Sequence, residues 1–459
     1  MTVAARKPWS KPVLTPHRTG TNKFGMARHR FYRGEIDGVA IEELVERHGS
    51  PLFVLSEHRL RENVRRLLRA FRTRYPRVRY GWSYKTNYLN AVCATMHQEG
   101  AWAEVVSDFE YDKARALGVP GSRIIFNGPY KPRAALEKAA REGALIHLDN
   151  LDELFLLEDV ARQMGKTVPC AIRLNFDTGY SEAWSRFGFN VESGAAHDAA
   201  RRIAAAGVLK LTGLHSHIGT FVLDPRAYAA QIKIMAQFMD FAERETGAHI
   251  DYIDIGGGFA SRNALQGVYL PPDQAVPSID QYAEVIAQAM MEAVRGRKDW
   301  PWLILETGRA VVDDAESLVT SVVGSKRLPD GRKSLILDAG VNVLFTAYWY
   351  NHECQPTRAI DGIPEETVLY GPLCMNIDVM RASVWLPPLG LGDRLVFNPV
   401  GAYNNTQWQE FIQYRPAIVM VHESGEVSEV RSRDTLETML ARERLPAALG
   451  TPFPQGLPE

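Results

Sequence analysis

From residue 52 onward the chain alternates between short apolar runs and longer segments whose apolar residues recur every three or four positions. Runs of the first kind lie at 79–84, 102–106, 123–126, 145–148, 171–175, 210–216, 252–255 and 303–305. They are apolar on both faces, as a strand covered on both sides must be. Segments of the second kind lie at 89–98, 110–117, 132–141, 152–162, 195–206, 225–244 and 281–295, and read as amphipathic helices. One more, at 57–74, carries Leu60, Val64, Leu67, Leu68 and Phe71 on one face and arginines on the other. Eight strands with crossover helices are what a closed (β/α)8 barrel requires, so the expected class is α/β with a TIM-type barrel. A doubly wound sheet is the alternative.

From about Val312 the helical period fades and strand-like runs follow, at 317–323, 333–337, 366–370, 394–399 and 417–421. Turn signals such as Pro329-Asp330-Gly331 and Leu391-Gly392-Asp393 separate them. This predicts an all-β second domain. The apolar run at 51–55 precedes the first barrel strand and needs a partner, so the N-terminal segment is expected to join that domain. The predicted division is 1–55, an arm and a strand joining the β domain; 56–311, the barrel; and 312–459, the β domain.

Composition narrows the picture. With 46% hydrophobic and 23% charged residues over 459 positions, the chain reads as a soluble globular protein. A net charge of −1 offers no electrostatic case for nucleic acid or an anionic membrane. Cys93, Cys170, Cys354 and Cys374 are scattered without a CxxC pair, which argues against a structural metal site and fits a reducing cytoplasm. Residues 1–30 are basic and rich in Pro and Thr, and read as a partly disordered arm. No run is long and apolar enough to span a membrane.

The chemistry gathers at the strand ends. In a barrel the active site lies at the C-terminal ends of the strands. There the sequence places Lys85, Asn127-Gly128, Arg173, His215-Ser216-His217 with Thr220, Gly256-Gly257-Gly258, and Glu306-Thr307-Gly308-Arg309. Each alone has a structural explanation: a snorkelling lysine, a flexible loop, a local ion pair. Together at one mouth they fit a phosphorylated aldehyde cofactor. A lysine leaving a buried strand is expected to lose proton affinity and serve as an amine nucleophile. Consecutive glycines let backbone N–H groups approach a phosphate, and Arg309 adds a permanent charge. Glu306 against a pyridine nitrogen keeps it protonated, which favours decarboxylation. His217 is placed to stack on the ring. The cofactor expected is pyridoxal 5'-phosphate, with no metal.

Ordered segments over most of the chain carry a resemblance: Tyr84-Lys85-Thr86-Asn87, Glu104-Val105-Val106-Ser107, Arg186-Phe187-Gly188, residues 214–220, 254–259 and 306–309, Gly371-Pro372-Leu373-Cys374 and Gly401-Ala402-Tyr403. The chain resembles the pyridoxal-phosphate-dependent decarboxylases of the alanine-racemase fold type, the diaminopimelate, ornithine and arginine decarboxylase group. The resemblance implies that Lys85 is the Schiff-base lysine and that His217 stacks on the cofactor. It further implies that Arg173, Thr220, Gly256, Gly257, Gly258, Glu306, Arg309 and Tyr403 bind the cofactor. It implies a homodimer with shared active sites, in which Cys374 is the acid contributed by a second subunit.

Two positions depart from the pattern. Where the group carries an acidic residue after the cysteine, this chain has Met375, and where it carries an arginine for a distal carboxylate, this chain has Thr346. Both contacts to a second amino-acid centre are missing, which disfavours diaminopimelate. Asp378 and Arg381 are the candidate replacements, with Asn404, Asn405 and Gln407, and the run Tyr348-Trp349-Tyr350 as a wall. The expected substrate is a conjugated diamino acid, such as a citryl-diamino acid in siderophore-type biosynthesis. Diaminopimelate and D- or L-ornithine or lysine are the alternatives. A non-catalytic, cofactor-binding regulatory homologue is a further one. A small cofactor-carrier protein would lack the β domain, and a racemase is disfavoured by Glu306.

Overall fold

The computed structural model describes residues 21–22, 25–26, 32–180, 182–268 and 270–450. The basic arm predicted over residues 1–30 lies outside them, apart from the short pairing of Thr21–Asn22 with Gly25–Met26.

All eight predicted strands form. They are Val78–Ser83, Trp102–Val105, Ile124–Phe126, Leu145–Leu148, Val168–Asn175, Leu209–His215, Tyr252–Asp254 and Trp302–Leu305. Each pairs in parallel with the next, the fourth pairs with the fifth and the eighth with the first, so the sheet closes. Helices cover the outside, among them Glu57–Arg72, Arg226–Thr246 and Ile279–Ala293. Side-chain caps start several of them: Ser56, Ser107, Asn150 and Ser278 each accept from the backbone N–H three residues on. The barrel is therefore the closed form and not the doubly wound sheet.

The interior is layered. At the N-terminal end, Arg79 lies 4.6 Å over the Trp102 ring and 4.1 Å over the Trp302 ring. Above it sits an apolar layer of Ile125, Ala171, Tyr252 and Ile304. The last inward positions, at the C-terminal ends, are polar: Glu104, His147, His215 and Asp254 are all buried. Polar groups held there need partners, because leaving them unpaired costs about 1–3 kcal/mol each.

A second sheet packs beside the barrel. Leu52–Ser56 lies between Glu316–Arg327, with which it runs antiparallel, and Ala417–Val421, with which it runs parallel. Lys333–Leu337, Glu365–Tyr370, Val379–Leu386 and Arg394–Asn398 complete most of it. The strand Val379–Leu386 has no counterpart in the sequence reading, because its pattern is broken by exposed Ala382, Ser383 and Trp385.

The two parts are locked together at the lysine segment. Tyr403 donates its backbone N–H to Thr86 O at 2.8 Å, and the Thr406 hydroxyl donates to Lys85 O at 2.9 Å. Asn87 Nδ2 donates to Gly401 O and to Glu316 Oε2. A loop of the β domain thus holds the segment after the first barrel strand in place. Among the described residues, no helix is long and apolar enough to cross a membrane.

Candidate active site

The first barrel strand ends in a single tight turn, Tyr84–Thr86, that turns Lys85 into the barrel mouth. Its Nζ sits 2.8 and 3.0 Å from the two carboxylate oxygens of Glu104, at the end of the second strand. This overturns the expected loss of proton affinity. Burial pulls the Lys85 pKa down, but the Glu104 carboxylate, with Glu306 and Tyr403 behind it, outweighs burial and holds it above its ordinary value. Glu104 is fully buried, and Lys85 holds it ionised against that burial.

Above this pair lies a cavity of about 530 Å³. Lys85, His217, Thr220, Gly257, Gly258, Glu306, Arg309 and Tyr403 all line it, so the closed barrel brings these residues, from four different strand ends and the β domain, to one place. His217 is held neutral by burial and by Arg173, and its Nδ1 accepts from the Gly257 N–H at 3.1 Å. Trp184 lies 5.4 Å from its ring.

At the floor, Glu306 is pushed well above the carboxylate range by burial and then by the Asp254 and Glu104 carboxyls. Asp254 itself is raised to about 7, chiefly by burial. His147, His215, Asp254 and Glu306 bring their polar atoms within 4.8 Å of one another. Both histidines are held neutral by burial. Burial raises both carboxyls of this cluster, and Glu306 further than Asp254.

Two predicted cofactor residues, Gly256 and Arg173, lie outside the cavity lining, and a third, Gly257, lines it with its N–H already used. Gly256 does not line the cavity, and its N–H is used by Asp254 Oδ1 at 2.9 Å. The Gly257 N–H is used by His217. The glycines are needed for packing instead: a Cβ on Gly257 would fall 2.7 Å from Glu306 O, and one on Gly256 2.7 Å from His217 Nδ1. Arg173 also stays outside the cavity lining, packed 4.4 Å over Phe187 and 3.5 Å from Asp149. It acts on the site through its charge on His215 and His217.

The residues present fit the expected cofactor. Arg309 is buried between the Tyr403 and Tyr350 rings at 4.8 and 5.1 Å, and among the described residues its Nη1 has no hydrogen-bond partner. A cation in that state beside Gly258, Gly308 and Thr220 is suited to a phosphate. The same cavity is lined by a carboxyl raised well above the carboxylate range, Glu306, and by an amine, Lys85.

None of the specificity candidates at 346, 375, 378 and 381 lines its own chain's cavity. Asp378 is buried and accepts from the N–H groups of Val341 and Leu373, so it is a structural clamp and not an ammonium receptor. Thr346 is buried against His352 and Asn404. Arg381 donates to the carbonyls of His352 and Ser383. Met375 sits half-buried beside Cys374, which is exposed. The outer wall comes from Trp184, Phe221 and Leu265 together with Trp349, Tyr350 and Gln407, three of the residues expected there; Tyr348 is not part of it.

The sequence reading assigned no role to Glu104, Asp254 or His147. The signal was available: each is a polar residue inside an otherwise apolar run, at the end where a barrel carries its site.

A closed parallel barrel with a lysine at its mouth, an unpartnered arginine beside glycines and a protonated carboxyl at its floor defines a barrel enzyme built for a phosphorylated pyridine aldehyde. Residues 61–313 match the family model described as pyridoxal-dependent decarboxylase, pyridoxal binding domain. The chain belongs to the pyridoxal-dependent decarboxylase family. It is 30% identical over 426 residues to the diaminopimelate decarboxylase of Methanothermobacter thermautotrophicus, covering 90% of this chain and 96% of that one. A crystal structure of diaminopimelate decarboxylase from Methanocaldococcus jannaschii with L-lysine superposes with a TM-score of 0.83 at 26% identity, covering 91% and 98% of the two chains. A lysine/ornithine decarboxylase from Vibrio vulnificus with putrescine does so with a TM-score of 0.70 at 25% identity, over 84% and 98%. The protein is a pyridoxal-phosphate-dependent amino-acid decarboxylase.

Proposed function

We propose that the enzyme removes the α-carboxylate of an amino acid whose far end is uncharged, such as a diamino acid conjugated through its distal amine to a neutral group. The observation that carries this reading is the outer wall of the cavity. Every charged lining residue, namely Lys85, Glu306 and Arg309, lies at the cofactor end, and the remaining wall is aromatic, apolar or amide. A distal ammonium or carboxylate moved there from water would lose its hydration without gaining a partner. Gln407 offers a neutral donor and acceptor. The citryl end expected from the sequence is itself charged, and Arg381, Asn404 and Asn405, on which it rested, are bonded elsewhere.

The bound cofactor supplies an electron sink for the bond between Cα and the departing carboxylate. We assign Lys85 to hold it, Arg309 and Thr220 to its phosphate, and Glu306 to its pyridine nitrogen. His217, neutral and pinned by Gly257, covers the ring. We further propose a homodimer in which the exposed loop carrying Cys374 enters the second copy's cavity, its thiol holding the proton that Cα takes up. Four unpaired cysteines support a cytoplasmic location.

Diaminopimelate is the second reading, favoured by the relatives' names. Release of carbon dioxide should be compared for meso-diaminopimelate, both hands of lysine and ornithine, a citryl conjugate, and Nε-acyl-lysine. We expect the acylated diamino acid to be turned over at least tenfold faster than the free ones. Turnover of meso-diaminopimelate above all others would overturn the uncharged-end reading and leave the decarboxylase assignment intact.

A further inference from the structure

Asn127 follows the third barrel strand, and its backbone N–H is anchored to Val105 O at 2.8 Å. Its side chain is buried and does not line the cavity; it lies behind Glu306, which does. One nitrogen, Nδ2, donates to Glu104 Oε1 at 3.0 Å and to Glu306 Oε1 at 2.7 Å. These two carboxyls have opposite tasks. Glu104 holds Lys85 at 2.8 Å, and Glu306 is the carboxyl assigned to the pyridine nitrogen.

We infer that Asn127 is a positioning residue, whose single amide joins the carboxylate paired with Lys85 to the carboxyl at the opposite end of the cofactor and fixes their spacing. This rests on the cofactor class and is independent of the substrate reading.

The donor set makes the orientation of the amide unambiguous. Turned over, its oxygen would face two carboxyl oxygens, an arrangement with no hydrogen bond to the ionised one. The amide nitrogen has two hydrogens, and both are used. Among the described residues its buried oxygen has no hydrogen-bond partner, so the side chain's hydrogen bonds there go to the two carboxyls. Other residue types would not do the same work. A carboxylate at 127 would place a third acid beside two. A cation would compete with Lys85 for Glu104. An apolar residue would leave two buried carboxyl oxygens short of a donor. A neutral double donor satisfies both carboxyls and leaves the Lys85 pair undisturbed.

The arrangement also keeps the two protonation states distinct. Glu104 is ionised by its contact with Lys85, while Glu306 keeps its proton against Asp254. The charged or titratable groups acting on these two carboxyls and their neighbours include Lys85, Arg173, His147, His215, Asp254, Tyr252, Glu110 and Tyr403. None of these stands as a bridge between Glu104 and Glu306; Asn127 does.

The test uses the holoenzyme and two variants, Asn127→Asp, which keeps the shape and removes the donors, and Asn127→Ala, which removes the donors without adding charge. Two readouts are taken: the pH titration of the visible absorption of bound cofactor, and the rate at which cofactor is lost on dilution. Positioning predicts that the absorption midpoint moves in both variants, upward by about one pH unit or more in the Asp variant. It also predicts that cofactor is lost roughly tenfold faster and that kcat falls more than KM rises. A lower melting temperature with an unmoved titration, unchanged cofactor loss and unchanged kcat would mean that Asn127 only fills space, and the inference would fail. If the Asp variant does not fold, the Ala variant decides on the same readouts.

Discussion

Lys85 is set up by its neighbour more than by its burial. Held by Glu104, it is a protonated amine in the cofactor-free protein, and the carboxylate that keeps it charged is also the base next to it when the proton must leave. Replacing Lys85 by Ala should abolish the visible absorption of bound cofactor, and an unchanged spectrum would remove the lysine from its assigned role. A second buried acid makes a pH prediction. Glu316 lies beneath the lysine segment, accepts from Asn87 and Asn405, and is raised by burial from 4.5 to about 8. Its folded pKa exceeds its unfolded one, so folding takes up a proton between those values. Its contribution is complete below pH 4.5 and is lost as pH rises through 8. Asp254 and Glu110, each raised to about 7, act in the same direction. Stability measured by denaturant should therefore fall from about pH 5 to pH 8, by up to about 1.4 kcal/mol per pH unit for each such group until pH passes its folded pKa. In Glu316→Gln that fall should be shallower; an identical slope would show that Glu316 is ionised in the fold.

At the scale of elements, the site is built by the last inward position of each barrel strand and the first residues after it. The turn at Gly256–Gly258 illustrates what that geometry demands. Its N–H groups are largely used within the protein, and the absence of Cβ atoms lets the seventh strand's exit pass against Glu306 and His217. Gly257→Ala should leave a folded protein whose cofactor affinity is at least about tenfold lower, since the backbone at Glu306 must move to admit the methyl group. Equilibrium titration of the variant with pyridoxal phosphate checks this. The β-domain loop at 401–407 is the matching device on the other side, pinning Lys85 and Thr86 by their carbonyls. The strands were legible because both of their faces are apolar. The Val379–Leu386 strand was not, since half of it faces solvent and alternation there is interrupted.

For the whole molecule, the prediction is one of symmetry. Cys374 is exposed on a loop away from its own chain's cavity lining, so Lys85 and Cys374 belong to one working site only if two copies meet. Lys85→Ala and Cys374→Ala should each be inactive. Dissociated and reassociated in equal amounts, they should recover about a quarter of wild-type activity, because half of the dimers then carry one intact site. No recovery, with mixed dimers demonstrated, would place both residues in the same chain's site. The wall of Trp349 and Tyr350 is held by the loop at 264–266, through Gln266 to Trp349 O and Asn351 to Ala264 O, so the far end of the cavity is a fixed shape.

The sequence by itself determined the eight strands, the all-β run that follows, and the lysine, histidine, glutamate and arginine at the strand ends. These follow from local periodicity, because a strand buried on both faces must be apolar and its polar exceptions stand out. Only the tertiary structure decided what those residues touch. Glu104 is 19 positions from Lys85, and Asn127 is 179 from Glu306. Such contacts depend on how the barrel closes and how its strands are staggered. For the same reason Asp378, Thr346 and Arg381, near the site along the chain, turned out to be bonded away from it. A residue's neighbours in a closed sheet are set by strand register, and no period along the chain records it.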